Sequence, residues 1–374
     1  MISLNWKQVS AWRMARHHLL ERAERGRLLE VVTQIGGLHA QVMSAAELAL
    51  WARVHDVSPA DAQEALWRER SLVKTWAMRG TLHLLTASEL PTYAAALSQS
   101  VAEFYRKPYW LKYFGLTLAE LEAVTEGVRA TLHGEGMTRA QLADKLAKRA
   151  RNPKLRGLLG LGWGMLLKPA AHCGYLCFGP NQGQKVTFVQ PEKWLGSWRK
   201  VDPEQAQREI TRRYLTAYGP ATVEDFTRWW GVTTALSKQL LHSLGDEIAE
   251  VDVEGRRAWA LTSTVKQMSA LKPARAVRLL PLFDPYTVAV SPHSEHLSPA
   301  AERKRIYRAQ GWISPVVLVD GRMEGVWSHE QKRGRVMLTV EMFAPPSATV
   351  KRGIKAEAER LGTFLGAGIE LNYV

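Results

Sequence analysis

With 374 residues, 46% of them hydrophobic and 23% charged, the chain is long enough for several modules around large cores. Lys and Arg number 50 against 36 Asp and Glu, a formal net charge of +14, and so basic a globular protein most often binds nucleic acid, with an anionic membrane or a merely solvated basic surface as alternatives. The N-terminus lacks the apolar stretch of a signal peptide and no apolar run reaches about 18 residues, so we expect neither secretion nor a membrane span.

Helix-start signals recur along the first two-thirds of the chain. Four segments have the capping-box pattern, in which a hydroxyl accepts from the backbone N–H three residues on and the side chain of that residue reaches back: Ser44-x-x-Glu47, Thr86-x-x-Glu89, Thr117-x-x-Glu120 and Thr138-x-x-Gln141. Ser58-Pro59 adds an N-cap followed by proline. This part of the chain is therefore predicted to be mainly helical.

Helices followed by a two-stranded hairpin are predicted repeatedly. The first module, residues 1–115, has a hairpin of LVKTWAM and TLHLL around Arg79-Gly80. The second, residues 116–200, has a helix at TRAQLADKL, an apolar helix near 157–172, and strands YLCF and VTFV around a Gly-rich turn at 179–183. The repeats share an order of elements and not an amino-acid sequence.

The third module, residues 201–272, has the clearest pattern. One helix is predicted over 203–218, Thr222 caps a second, and a third covers about 234–244. IAEVDV alternates apolar and charged residues as a half-buried strand does, and RAWAL returns after Glu254-Gly255. Helix, helix, turn, helix and a two-stranded wing form a winged helix-turn-helix.

Strand patterns replace the helical ones in residues 273–374. VRLLPLFDPYTVAV, SPVVLVDGRMEGVW and RGRVMLTVEMF are strand-like, with turns at Asp320-Gly321 and around 332–334. A basic helix at about 348–365 precedes a last strand, IELNYV. The predicted fold class is thus α+β, with three tandem winged helix-turn-helix motifs and a C-terminal β-barrel-like domain.

Metal ligands are not indicated by the sequence. Cys173 and Cys177 lack a second ligand pair, so we interpret them as small buried residues and not as zinc ligands. His293 and His296 near Asp284 are better explained as loop residues, and Asp284 as a turn or N-cap residue, although a site role for Asp284 stays open. We expect no metal, no cofactor and, from the few cysteines, a cytoplasmic location.

The segment VVTQIGGLHAQVMSAAEL brings two polar side chains to a break in a helix. Gly36-Gly37 weakens the helix before it, and Ser44 is predicted to cap the next one. In an extended segment, residues two apart point to the same side, so His39 and Gln41 would face one cleft. The alternative is that both are ordinary hydrogen-bonded structural residues.

GGLHAQVMSAAELALWAR, RSLVKTWAMRGTLHLL, LLPLFDPYTVAV and ISPVVLVDGRMEGVW resemble, in this order, the AlkZ/YcaQ family of winged-helix DNA glycosylases. The resemblance covers about residues 4–345 and implies winged helices around a concave DNA-binding face with a β-barrel. It implies hydrolysis of the N-glycosidic bond of alkylated purines (N7-alkylguanine or N3-alkyladenine), including bulky adducts and interstrand crosslinks. The family motif is Gln-x-Gln or Gln-x-Asp, and here the matching positions are His39, Ala40 and Gln41, a His-x-Gln variant.

The resemblance implies that His39 and Gln41 are catalytic. An N7- or N3-alkylated purine is cationic and leaves readily, so the enzyme chiefly has to place a water at C1′. The carbonyl of Gln41 can orient that water, and neutral His39, whose ordinary pKa is about 6.5, can accept its proton or position it. The motif contains no lysine, so no Schiff-base lyase step is expected.

Cations outside the motif are candidate DNA contacts. Lys154 and Arg156 belong to a basic cluster, and Arg79 lies at a predicted wing turn. The hairpin tip with Gln331, Lys332 and Arg333 is a candidate for groove insertion. The alternative for each is a solvated surface.

The expected partner is double-stranded DNA with alkylated bases, bound by a monomer. Two other functions stay open. One is a winged-helix transcriptional regulator, since 234–244 carries Lys238 and Gln239, although LLGLGWGMLLKPA is too apolar for a recognition helix. The other is a damage-binding protein in which His39 has abolished hydrolysis.

Overall fold

The computed structural model describes residues 2–273, 275–289, 291, 293–332 and 334–374. The strands are β1 (Ile2–Leu4), β2 (Leu38–His39), β3 (Leu72–Trp76), β4 (Leu82–Thr86), β5 (Met137–Thr138), β6 (Cys177–Gln182), β7 (Lys185–Val189), β8 (Ile248–Val253), β9 (Arg256–Leu261), β10 (Val277–Leu280), β11 (Val316–Val319), β12 (Arg322–Lys332), β13 (Arg335–Met342) and β14 (Gly368–Tyr373). In the first half, the α-helices are α1 (Trp6–Arg16), α2 (Leu28–Gln34), α3 (Met43–Trp51), α4 (Pro59–Trp67), α5 (Leu90–Ser100), α6 (Ala102–Arg106), α7 (Pro108–Phe114), α8 (Leu118–Thr131), α9 (Arg139–Arg149), α10 (Leu155–Gly160) and α11 (Lys168–His172). In the second half they are α12 (Pro191–Leu195), α13 (Pro203–Tyr218), α14 (Val223–Trp230), α15 (Thr234–His242), α16 (Thr262–Ser269), α17 (Pro285–Val288), α18 (Arg303–Ile306) and α19 (Ala348–Leu365).

The chain folds as two compact units. Unit 1 consists of Met1–Ala62 and Arg212–Val374, and unit 2 consists of Gln63–Thr211. The boundaries fall within α4 and α13. These two units are defined by contacts, whereas the predicted modules follow the order of the chain, so the two divisions differ. The module boundaries at 115, 200 and 272 stay a prediction. No helix in the described part of the chain is both long and apolar enough to cross a membrane.

Helices and hairpin of the predicted third module are present where the sequence places them. Thr222 accepts a hydrogen bond from Asp225 N in a complete capping box, and α14 ends at Gly231 in the left-handed conformation. In unit 1, β8 pairs antiparallel with β9 and parallel with β1. Val251 and Val253 have no exposed surface, as their alternation with charged residues predicts.

The C-terminal sheet of unit 1 is not a closed barrel, and the predicted barrel-like domain is not confirmed. Its order is β10-β11-β12-β13-β14, and in the described residues the edge strands β10 and β14 do not pair with each other. Helix α19 packs against both edges instead and buries Ile354, Ala358, Leu361 and Phe364. A sheet whose apolar face is covered by a helix does not have to close on itself.

Turns of this sheet follow the predicted positions. Asp320 and Gly321 both have positive φ, +51° and +88°, in the two-residue turn between β11 and β12. The next turn contains Gly334, with φ +77°. In contrast, VRLLPLFDPYTVAV is not one strand, because β10 ends at Leu280 and Asp284 caps the short helix α17.

Unit 2 contains the other two predicted hairpins. β3 pairs antiparallel with β4, and a second sheet has the order β5-β7-β6. The predicted helix near 157–172 is interrupted, because Gly164 has φ +81° and an added Cβ would lie 3.0 Å from the Trp76 ring. Leu159, Leu166, Leu167, Ala170 and Ala171 of this segment are nevertheless buried, although Leu161 is 52% exposed, and this burial favours packing over contact with a DNA groove. Cys177 is buried and Cys173 half-buried, and both are free thiols.

Two of the four predicted capping boxes are confirmed. Thr117 and Thr138 each form the complete box at the start of α8 and α9. The predictions for Ser44 and Thr86 are wrong, since α3 starts after Val42 and α5 after Glu89, without a side-chain cap.

Candidate active site

The Gly-Gly pair ends α2 in a Schellman motif. Gly36 N donates to Thr33 O at 3.2 Å and Gly37 N donates to Val32 O at 2.9 Å. Both glycines have positive φ, +74° and +94°, which residues with a Cβ adopt at a cost. The chain therefore leaves α2 sharply and becomes extended in β2, as the helix break in the sequence predicts.

The motif residues occupy the short joint between α2 and α3. His39 ends β2 and is 8% exposed, whereas Gln41 is exposed. Ala40 between them is fully buried. The joint thus has its middle residue in the core, with His39 mostly covered and Gln41 open to solvent.

An aromatic ring from a distant part of unit 1 contacts His39. The Phe283 ring centroid lies 4.7 Å from that of His39, with an angle of 36° between the ring planes. Phe283 contacts Trp312 in turn, at 5.3 Å between centroids. The prediction of the site missed both aromatic residues; the resemblance of LLPLFDPYTVAV to the family marked the segment but did not indicate the ring contact.

A buried ion pair holds the segment that carries Phe283. Asp284 Oδ1 and Oδ2 accept from Arg53 Nη2 and Nη1, both at 2.7 Å, and neither side chain has exposed surface. Asp284 also accepts from Tyr286 N at 2.9 Å as the N-cap of α17, which confirms the predicted capping role.

Burial and the nearby charge of Arg53 hold the pKa of His17, another buried residue of unit 1, well below its ordinary value.

Candidate DNA contacts of unit 2 lie on its hairpin and on its helices. Arg79 is half-buried at the β3–β4 turn, with φ +58°, and its Nη2 lies 3.3 Å from His83 Nε2. A second cation, Lys168, lies beside the same turn. Its Nζ is 3.4 Å from the place that a Cβ on Gly80 would occupy. Lys168, whose pKa is lowered by burial, was not among the cations that the sequence indicated.

The two basic residues near α10 differ in their surroundings. Lys154 is exposed immediately before α10. Arg156 is also exposed, but its Nε donates to Asp144 Oδ1 at 2.6 Å. A phosphate would therefore have to compete with a carboxylate for Arg156.

The candidate insertion tip lies between β12 and β13 in unit 1. Gln331 is exposed and pairs with Val336 across the hairpin. The backbone of Lys332 pairs with Arg335. Arg333 lies outside the described residues. Among the residues that are described, no group of three His, Cys, Asp or Glu side chains is arranged to hold a metal ion.

Comparison with known proteins identifies the family. The model of the AlkZ-like DNA glycosylase family matches residues 32–364. The interstrand DNA cross-link repair glycosylase of Streptomyces sahachiroi is 40% identical over 331 residues, which cover 86% of this chain and 87% of that protein. The solved structure of the S. sahachiroi DNA glycosylase AlkZ matches with a TM-score of 0.91 and 35% identity over 100% of both chains. These matches confirm the resemblance and favour a glycosylase over a transcriptional regulator. The chain belongs to the AlkZ-like family of DNA glycosylases.

Proposed function

We propose that this protein is a monofunctional DNA glycosylase that hydrolyses the N-glycosidic bond of N7- or N3-alkylated purines in duplex DNA, including bulky adducts and interstrand crosslinks. The observation that supports the proposal is the joint after Gly37, in which His39 ends β2 and Gln41 follows before α3, the two residues that match the family motif in the sequence. The crosslink substrate is inferred from the name of the S. sahachiroi relative.

Hydrolysis needs a water placed at C1′ and an acceptor for its proton. The exposed amide of Gln41 orients the water through its carbonyl oxygen, and a neutral ring nitrogen of His39 accepts the proton as the C1′–O bond forms. The C1′–N bond breaks, and its electron pair goes to the alkylated purine and cancels the positive charge of the base. The products are a neutral free base and an abasic deoxyribose.

A lyase step is not part of the proposed reaction. Schiff-base formation at C1′ requires an amine nucleophile, and the motif Leu38-His39-Ala40-Gln41 contains none. The abasic strand should therefore stay intact after the base is released.

DNA binding rests on the basic surface and on the hairpins. We include in the proposal three winged helices, each with one of the hairpins β3–β4, β6–β7 and β8–β9. Phosphate or groove contacts are assigned to Arg79, Lys154, Arg156, Gln331, Lys332 and Arg333. Binding should weaken steeply as salt is added, because each neutralised phosphate releases counterions. One protein monomer is proposed to act on each lesion.

Release of a modified base tests the function directly. Duplex DNA with a single N7-methylguanine is incubated with the parent protein and with His39→Ala and Gln41→Ala, and free base is measured by mass spectrometry. The parent should release the base, and loss of the general base should lower the rate by about 100- to 10,000-fold. Ser44→Ala is the matched control, because Ser44 is exposed in α3 and does not cap that helix.

Folding and binding have to be measured for the same variants. Thermal unfolding midpoints and affinities for damaged DNA should stay near those of the parent. If both motif variants release base as fast as the parent, the assignment of the site is wrong. Tight binding of damaged DNA by a parent protein that releases no base would instead identify a damage-binding protein.

A further inference from the structure

A series of three aromatic rings leads from His39 to the surface of unit 1. Ring centroids are 4.7 Å apart from His39 to Phe283 and 5.3 Å apart from Phe283 to Trp312. Exposure rises along the series, from 8% for His39 through half-buried Phe283 to 40% for Trp312. A surface of successively tilted aromatic rings, with angles of 36° and 34° between neighbouring ring planes, thus begins at the motif and ends in solvent.

The backbone of Phe283 is held in an uncommon conformation. Its φ of +56° lies in the left-handed region, which bulky residues rarely adopt. The next residue, Asp284, is locked by its buried pair with Arg53. Phe283 N also donates to Ile313 O at 3.4 Å, which ties this segment to the residue after Trp312. Such conformations persist only where the surroundings enforce them, and they concentrate at functional sites.

The loop around Trp312 holds its backbone in place. Arg308 N donates to Trp312 O at 2.8 Å, and Trp312 N donates to Ala309 O at 3.4 Å. Gln310 and Gly311 turn the chain with φ of +58° and +79°. An exposed indole on a closed hydrogen-bonded turn loses little conformational entropy on binding, which suits it to stack on a flat partner.

We propose that Trp312, supported by Phe283, stacks on a planar aromatic group carried by the alkylated purine and so favours aromatic adducts over small alkyl groups. The proposal rests on the proposed function, because a purine held at His39 brings its substituent next to this ring series. Arg308, whose guanidinium lies 5.9 Å from the centre of the Trp312 ring, supplies positive charge for the DNA backbone beside the stacked group. Trp312 is a specificity-determining residue and takes no part in proton transfer.

The ratio of two excision rates tests this role. Two duplexes of one sequence carry either N7-methylguanine or N7-(naphthylmethyl)guanine, and kcat/KM is measured for each after subtraction of spontaneous release. Trp312→Ala should lower the ratio of naphthylmethyl to methyl excision by about tenfold, the size of one stacking interaction. Trp312→Phe keeps an aromatic ring and should retain most of the ratio. Tyr373→Ala is the control, because Tyr373 is 43% exposed on β14 of the same unit and lies outside the ring series.

Two other results of this experiment would contradict the role of Trp312. Equal losses of kcat/KM on both substrates would mean that Trp312 contacts DNA whatever the adduct, and an unchanged ratio would mean that it contacts no adduct; either result overturns the proposal. If the parent releases neither base, the proposed function fails, and stacking is tested by binding alone. The dissociation constants of the two damaged duplexes should then still differ for the parent and converge for Trp312→Ala.

Discussion

The cores of the two units use polar residues in different ways. In unit 1, Arg53 and Asp284 form an ion pair with no exposed surface, and Glu357, 3% exposed, pairs with Arg22. Unit 2 contains a buried polar contact without an ion pair. The Tyr105 hydroxyl lies 3.0 Å from Nδ1 of a fully buried histidine, His172.

Exposed ion pairs occur in both units, such as Arg27 with Glu30 in unit 1 and Arg156 with Asp144 in unit 2. Asp144 and Arg156 in unit 2 keep 57% and 51% of their side chains exposed. Exposed pairs contribute little to stability, whereas a buried pair becomes strongly destabilising when one partner is removed. In unit 1, buried charges therefore fix irregular segments such as the one before α17, whereas the buried contact of Tyr105 with His172 in unit 2 involves no ion pair.

The largest effect is expected from breaking the buried pair of unit 1. Asp284→Asn keeps the cap acceptor but leaves the Arg53 charge unpaired, and the free energy of unfolding should fall by about 3–5 kcal/mol. Denaturant unfolding measures the loss, and hydrogen exchange should locate it in unit 1. The double variant Arg53→Met with Asp284→Leu should recover part of it, because no buried charge remains. A loss below about 1 kcal/mol for Asp284→Asn would contradict this account.

An intermediate effect is expected in unit 2 from acid. Burial, together with the charge of Lys168, lowers the pKa of His172 to about 3, against about 6.5 in the unfolded chain. The unfolded state therefore binds the proton first. The contribution of neutral His172 is complete above about pH 6.5 and is lost as the pH falls towards 3, by about 1.4 kcal/mol per pH unit.

His172→Gln tests this dependence, since its amide oxygen can still accept from Tyr105. Unfolding free energies of the parent and the variant are compared between about pH 4.5 and 6.5, which lies inside the interval between the two pKa values. The variant should show the shallower slope. Parallel curves would mean that His172 does not couple folding to protonation. Burial also lowers the pKa of His296 in unit 1 to about 3, so part of the slope should persist in the variant.

The smallest effect is expected at the surface pair of unit 2. Asp144→Asn should change the free energy of unfolding by less than about 1 kcal/mol. If Arg156 contacts phosphate, release from Asp144 should raise DNA affinity slightly at low salt, which a titration at two salt concentrations would detect. A destabilisation above about 2 kcal/mol would contradict the expectation that an exposed ion pair contributes little to the stability of unit 2.

Local signals in the sequence determined the joint that holds the motif. Gly36-Gly37 ends α2 because only glycine adopts positive φ at little cost, and Thr222 and Gly231 delimit α14. The alternation in IAEVDV likewise predicts which side chains of β8 are buried. Such signals act over a few residues, so they can be read without knowledge of the rest of the chain.

Tertiary structure alone decided which residues surround the motif and how the last sheet ends. The contact of His39 with Phe283 joins parts of the chain that no local pattern relates. The sheet stays open because α19 covers it, and strand patterns do not distinguish a covered sheet from a closed barrel. Packing between distant segments depends on the summed shapes and charges of many side chains, and a short stretch of sequence does not contain that information.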